Sequence, residues 1–569
     1  MKNIRVILAA TAACLVAAAA PAHAARGTDG ELKLLFWQAV STMNPYLSGG
    51  TKELYAASMV IEPLAGFDPE GNLYPRLAAE IPTVDNGGVS KDLTTITWKL
   101  KKDLKWSDGT PVTADDVVFT WQYCTAPGGG CAQASKFDGV KSVEAVDPET
   151  IKVTFTTPKP YPYTAFVGYQ SPIIQKAQFK DCLGPKAPEC TKANFGPIGT
   201  GPFVVKQFKP NDVINFVANP NYRDPNKPAF ATATLKGGGD ALSAARAVLE
   251  TGEYDYAWNM QIEPEVLKAM EAQGKGKLQS AFGSQVERIN LNFTNPDPAL
   301  GDKRSTIEGG PHPSLSDPIV RKALSMAIDR DIIVETGYGA AGKPTCDIVP
   351  GPPAYASTKN DSWCLKQDIA GANKLLDDDG WKKGPDGIRA KNGVKLSYLF
   401  QTSTNSVRQA TQALVKDWWS QIGVATELRN VSASVFFGGD PASPDTFQKF
   451  YADAEMYTNN FDGTDPEPYL AQWMCGKEPS PKTGWQGEDI TRYCNPAYDK
   501  LVKQLSATFK PEEREKLAKQ LNDILTEDMV QIPLVYRGQF SALSNRLDHA
   551  QISGWDSELW NIADWTRKK

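Results

Sequence analysis

The chain has 569 residues, 22% of them charged, and a formal net charge of −5. That length excludes a single small domain, and two to four folding units are expected. The mildly acidic balance does not favour nucleic acid or an anionic membrane surface as a partner.

In chain order, Lys2 and Arg5 precede an uncharged apolar run from Val6 to Ala20, and Ala22-His23-Ala24 supplies the small-x-small pattern of a cleavage site. A signal peptide over residues 1–24 is expected, with export to the periplasm and a mature chain beginning near Ala25. The run is too short to span a bilayer comfortably, and no later stretch has the apolar length a membrane span needs. Lipidation at Cys14 is disfavoured because Thr11-Ala12-Ala13 lacks the usual leucine. Removing Lys2 and Arg5 takes the formal charge from −5 to −7.

The other eight cysteines lie close together in pairs: Cys124 and Cys131, Cys182 and Cys190, Cys346 and Cys364, Cys475 and Cys494. Export makes disulfides the expected state. Roughly a hundred pairings are open in principle, and sequential pairing closes the shortest loops. Zinc is not expected, since no CxxC occurs and there are only three histidines, His23, His312 and His549.

Alternation at Ile96, Trp98 and Leu100, at Ile151, Val153 and Phe155, at Ile214 and Phe216, and at Ile289, Leu291 and Phe293 predicts strands. Thr113 caps a predicted helix with Asp115 and Asp116 in its first turn, and Asp317-Pro318 opens another carrying Ile319, Ala323 and Ala327. Val407, Ala410, Leu414, Trp418 and Ile422 lie at helical spacing and stop at Gly423; Pro511 begins a helix with Leu517, Leu521 and Ile524 on one face. Interleaving of this kind predicts α/β lobes. The Pro/Gly-rich stretches 196–202, 295–313 and 349–353 are candidates for lobe junctions or cleft walls.

The segment from Trp98 to Val117, with Trp106-Ser-Asp-Gly-Thr-Pro-Val at its centre, closely resembles the signature of the extracellular solute-binding proteins of the peptide/nickel class, family 5. Supporting matches are Thr42-Met-Asn-Pro45, Glu62-Pro-Leu64, Tyr74-Pro-Arg-Leu-Ala78, Gly199-Thr-Gly-Pro-Phe203, the run from Val320 to Arg330, Leu375-Leu376 with Gly380-Trp381, and Ile532-Pro-Leu534. The Trp106 turn itself is read as local backbone chemistry rather than a ligand contact. Asp377-Asp-Asp-Gly380 lacks the ligand spacing of a calcium loop and reads as a helix end.

The resemblance implies a periplasmic-binding-protein-like, type II two-lobe clamp of three domains. By motif order, domain I is discontinuous, over 26–70, 198–286 and 530–569. Domain II is an excursion over 71–197, and domain III, the opposing lobe, covers 287–529. It also implies hinge closure around a solute that is then delivered to ABC permease subunits in the inner membrane.

Peptide-binding members hold the ligand's amino group with an Asp three residues before an Asp-Pro pair, and Asp462 stands in that relation to Asp465-Pro466. An ionised carboxylate is what a desolvated ammonium requires. Asn459 and Asn460 add neutral hydrogen-bonding groups beside it, with Tyr457 just before. Arg408 lies a residue away from where dipeptide binders place an arginine for the ligand carboxylate, and Asn44 and Tyr46 are candidates for the first lobe's wall. The expected ligand is a short peptide; an opine, an oligosaccharide or a metal chelate would suit the same clamp. A secreted hydrolase is the remote alternative, and no GxSxG elbow, HExxH helix or positioned carboxylate pair is present to support one. No enzyme activity, cofactor or protein-bound metal is expected, and the chain is expected to act as a monomer.

Overall fold

In the computed structural model, residues 25–438, 440–461 and 463–569 are described. The expected signal segment lies outside them. Strands and helices interleave along the whole described length. The largest sheet has eleven strands. They are β1 (Glu31–Phe36), β2 (Phe203–Lys209), β3 (Val213–Ala218), β4 (Thr232–Gly237), β5 (Tyr256–Trp258), β6 (Gly276–Leu291), β7 (Gly342–Pro344), β8 (Ser397–Ser403), β9 (Ala425–Val431), β10 (Ala454–Asn459) and β11 (Gln531–Ser544). Their spatial order is β9-β8-β10-β6-β11-β5-β1-β4-β3-β2, and β7 pairs with β11 off this path.

The long strands β6 and β11, of 16 and 14 residues, hold the two halves together. They run antiparallel from Gly276 opposite Ser544 to Asn290 opposite Gln531, with a register break between Phe282 and Val286. On one side of the break β11 meets β5, which leads to β1 and β4; on the other β6 meets β10, which leads to β8 and β9. Each side buries its own core: Leu34, Trp98 and Phe203 belong to one cluster, and Phe400, Trp419 and Ile532 to another. A bulge of this kind bends and re-aims a strand. Gly283 sits in it because a Cβ there would collide with the Gly554 carbonyl.

Within 71–197, strands Thr95–Lys99, Thr150–Phe155 and Val140–Asp147 form an antiparallel sheet in that spatial order, against which helix Ala114–Thr125 packs. The signature segment is the joint between them. Trp106 is buried, its Nε1 donates to Asp116 Oδ2 at 3.2 Å, and Thr113 and Asp116 form a reciprocal capping box. Asp108 Oδ1 accepts from Thr110 N and Oγ1 at 2.9 and 2.6 Å, fixing the turn.

Helices Pro318–Met326, Ser406–Gln421 and Pro511–Glu527 stand where periodicity and capping place them. All four sequential cysteine pairs are disulfides, with Cα separations of 5.1, 5.9, 6.0 and 4.6 Å. No helix among the described residues is long and apolar enough to cross a membrane.

Candidate ligand-binding cleft

A cavity of about 160 Å³ lies between the two halves, with space on the order of ten waters. Its floor is the strand crossing, where β6 supplies Gln285 and β11 supplies Arg537 and Gln539. Gln38 follows the carboxyl end of β1, Asn259 follows β5, and Asn459 ends β10. Ligand crevices form at such carboxyl ends in open α/β sheets, where loops leave the layer. Thr51 opening helix Thr51–Ser58, and Ser135 and Lys136 after Cys131, complete one wall; Phe437, Phe447, Tyr469, Gln472 and Gln486 form the other.

Most of the fixed charge at the wall is already matched. Glu287, beneath the floor, accepts from Arg408 Nε at 2.7 Å and Nη2 at 3.2 Å and has Arg537 Nη1 at 3.7 Å. Burial alone would raise its carboxyl, but the two guanidiniums and the Thr458 hydroxyl outweigh burial and hold it below the usual range. Arg537 also donates to Thr458 Oγ1 at 3.1 Å and Asn259 Oδ1 at 2.6 Å. Asp465 is held by Arg514 Nη2 at 2.5 Å. Glu558 accepts from the Tyr256 hydroxyl at 2.7 Å and from Ser541 Oγ, and burial pushes its carboxyl up to about 7.

What remains for a ligand is amide and aromatic surface. Gln38 and Gln285 are 5% and 8% exposed, yet neither side chain makes a hydrogen bond to the described protein. Their amide groups stay open to the cavity, and among its other lining amides Gln539 Oε1 is buried with no partner, at a cost on the order of 1–3 kcal/mol until a donor meets it. Phe437, Phe447 and Tyr457 pack edge-on or tilted at 5.2 to 6.1 Å.

The expected site residues divide accordingly. Tyr457, Asn459 and Asn460 line the cavity, with Asn460 Nδ2 donating to the Tyr169 hydroxyl at 2.9 Å. Arg408 lines it too, but its guanidinium is spent on Glu287 and on Ser403 Oγ at 2.7 Å, so it is not free to take a ligand carboxylate. Asn44 and Tyr46 lie behind the wall. The Asn44 side chain donates to the Tyr123 hydroxyl and Asn194 Oδ1, both at 2.9 Å, and accepts from Tyr46 N; the Tyr46 hydroxyl donates to the Pro172 carbonyl at 2.5 Å. Asp462 lies outside the described residues. Gln38, Gln285, Gln472 and Trp258 were not singled out by the sequence; position just after a strand end is the one signal that marks Gln38, and Trp258 closes β5.

Several contacts tie residues 138–159, the strand crossing and the C-terminal segment to the stretch 461–477. Lys159 Nζ meets Glu467 Oε1 at 2.9 Å with both side chains under a tenth exposed, and Lys477 Nζ meets Asp138 Oδ2 at 2.6 Å. Phe461 is fixed to the strand crossing through Ser284 Oγ, and Gly463 N donates to the Trp555 carbonyl at 2.8 Å. Among the described residues no group of three His, Cys, Asp or Glu is placed to hold a metal ion. His312 is committed to the fold: Nδ1 accepts from Ser314 N and Leu315 N, and Nε2 faces Asp453 Oδ1 at 2.8 Å.

Known proteins share the fold and parts of the sequence. Protein XP55 of Streptomyces lividans is 28% identical over 376 residues, 65% of this chain and 60% of that protein. The glutathione-binding protein GsiB of Escherichia coli K12 is 24% identical over 513 residues, 89% of each chain. The oligopeptide-binding protein AppA of Bacillus subtilis, solved with a nonapeptide, superimposes with a TM-score of 0.80 at 21% identity, covering 96% of this chain and all of that one. Residues 72–480, well over half the chain, match the family described as bacterial extracellular solute-binding proteins, family 5 Middle. The chain therefore belongs to the family 5 extracellular solute-binding proteins.

Proposed function

We propose that the chain captures a short peptide in the interlobe cavity, in the periplasm, and presents it as a monomer to ABC permease subunits of the inner membrane. The observation that carries this reading is the pair of unpartnered amides, Gln38 and Gln285, facing a cavity whose Arg408, Arg537 and Asp465 are already ion-paired. Amide side chains offer a donor and an acceptor together, which is what successive peptide groups present. The volume, about 160 Å³, is below the ~300–1,000 Å³ of drug-sized sites. That favours two or three residues over a nonapeptide. Asp462, three residues before Asp465-Pro466 in the sequence, is assigned to the ligand's ammonium. Binding without turnover is favoured by membership of a family described as solute-binding proteins.

The test is calorimetric titration with a panel of di- and tripeptides, free and N-acetylated, against the parent and Asp462→Asn. Free peptides are expected to bind, and acetylation or Asp462→Asn to weaken them at least tenfold. Equal binding of free and acetylated peptides would remove the amine anchor. Binding only of an opine, a sugar or a chelate would replace the peptide.

A further inference from the structure

We propose that a second cavity, where Tyr74 to Arg76, Lys101-Lys102 and Tyr222 to Asp224 meet the C-terminal segment, binds an organic anion carrying a phosphate or carboxylate group. This cavity measures about 440 Å³ and shares no lining residue with the interlobe cleft.

Its charge is unbalanced. Five basic side chains and two acidic ones line it. Both acids are engaged by Lys227, Asp564 in direct contact and Asp224 at 3.8 Å. Beneath the surface, Glu62 is 1% exposed and carries two guanidiniums at once: Arg223 in a bidentate fork at 2.6 and 2.9 Å, and Arg76 at 3.4 Å. Asp556, also buried, adds its charge to that of Glu62 at Arg76, so the excess positive charge of the cluster rests on Lys101 and Lys102. Lys101 Nζ donates to the Pro75 and Arg76 carbonyls at 3.2 and 2.7 Å, which uses two of its three N–H groups and no carboxylate. Lys102 is exposed and has no ion-pair partner in the described protein.

The cluster works against itself. Burial first, then the Arg223 charge, lowers the Lys101 ammonium below its ordinary value, so an incoming anion relieves repulsion as well as gaining attraction. The arginines are held in place, Arg223 stacked 4.7 Å from the Tyr222 ring centre and Arg76 5.2 Å from that of Tyr74. Trp560, edge-on to Tyr74 at 5.7 Å, adds a flat apolar wall. A charged head beside Lys101 and Lys102 with a flat body along Trp560 fits this concavity, and a phosphate or carboxylate is the head that matches fixed guanidiniums and ammoniums.

Phenyl phosphate and inorganic phosphate are titrated by calorimetry at low salt into the full chain, with phosphatidylglycerol vesicles as a sedimentation arm. Saturable binding of phenyl phosphate, tighter than inorganic phosphate, weakened by salt and at least tenfold weaker in K101Q/K102Q, is expected. Vesicle binding lost in the same variant, without binding of the free anion, supports the same chemistry with a headgroup as its source. K102Q alone changes an exposed residue, so it must weaken binding several-fold without lowering the melting temperature. Absence of saturable binding to both probes and to vesicles overturns the proposal, as does binding unchanged in K101Q/K102Q or abolished by Gln285→Ala in the cleft.

Discussion

The ion pair between Lys159 and Glu467 gives the sharpest prediction of how closure contributes to affinity. Lys159 follows the strand Thr150–Phe155, and Glu467 opens helix Glu467–Leu470. Their side chains are 9% and 4% exposed at a separation of 2.9 Å. Glu467 Oε1 also accepts from Ser506 Oγ, while Oε2 has no partner. Lys159→Met therefore leaves a buried carboxylate short of its counter-charge, a loss of about 3–5 kcal/mol. With the lobes apart both groups are hydrated, so the loss falls on the closed form. Because about 1.4 kcal/mol is a factor of ten, ligand affinity is expected to fall on the order of a hundredfold or more. K159M/E467Q removes both charges and should recover most of the loss, since replacing a whole buried pair is often neutral. Calorimetry of the bound solute with all three proteins, and scattering with and without it, decide the matter. If Lys159→Met lowers the melting temperature but leaves Kd within twofold, the pair is a static strut and the reasoning fails.

Three further outcomes follow from other residues. Gly463 has φ +75° and a Cβ there would approach the Phe67 ring to 2.5 Å; Gly463→Ala is expected to weaken ligand binding at least tenfold by calorimetry, and unchanged affinity would mean this approach does not limit closure. Glu558, raised to about 7, keeps its proton in the folded state over a pH range where the unfolded chain has released it. The contribution of Glu558 to stability is thus fullest below about pH 4, declines as pH rises to about 7, and falls by on the order of 3 kcal/mol in all. Glu558→Gln should match the parent in denaturant midpoint at pH 4 and exceed it at pH 8; the same difference at both would refute the assignment. The Cys475–Cys494 bridge closes a separation of 19 residues that includes Gln486 of the cleft wall. Replacing both cysteines by serine is expected to lower stability by about 3 kcal/mol in urea unfolding and to weaken binding; loss of stability alone would separate the bridge from the wall.

The fold was legible where its causes are local. The Thr113 cap and Asp317-Pro318 each act over a few residues and the cysteine pairs over 7 to 19, and each appears as expected. The strand crossing was less visible. Alternation marked only Ile289 to Phe293, whereas β6 begins at Gly276, because from Gly283 to Leu291 it is buried on both faces and carries Glu287, Arg288 and Asn290 inside. Interior polar residues erase the pattern that identifies a strand. Of the residues singled out in the sequence, Tyr457, Asn459, Asn460 and Arg408 line the cavity, and Asn44 and Tyr46 stand behind its wall. The partners of Arg408 and Asn44, Glu287 and Asn194, lie 121 and 150 residues away, so these contacts could not be read from the sequence. The unpaired amides of Gln38 and Gln285 become informative only once the surrounding partners are counted.

Native mass spectrometry of the chain purified without denaturation tests the central claim most directly. A peptide of two or three residues, bound one to one and exchanged for added peptide, is the predicted result. A homogeneous non-peptide solute would contradict the assignment, and a chain that arrives empty and takes up no peptide would contradict the cleft itself.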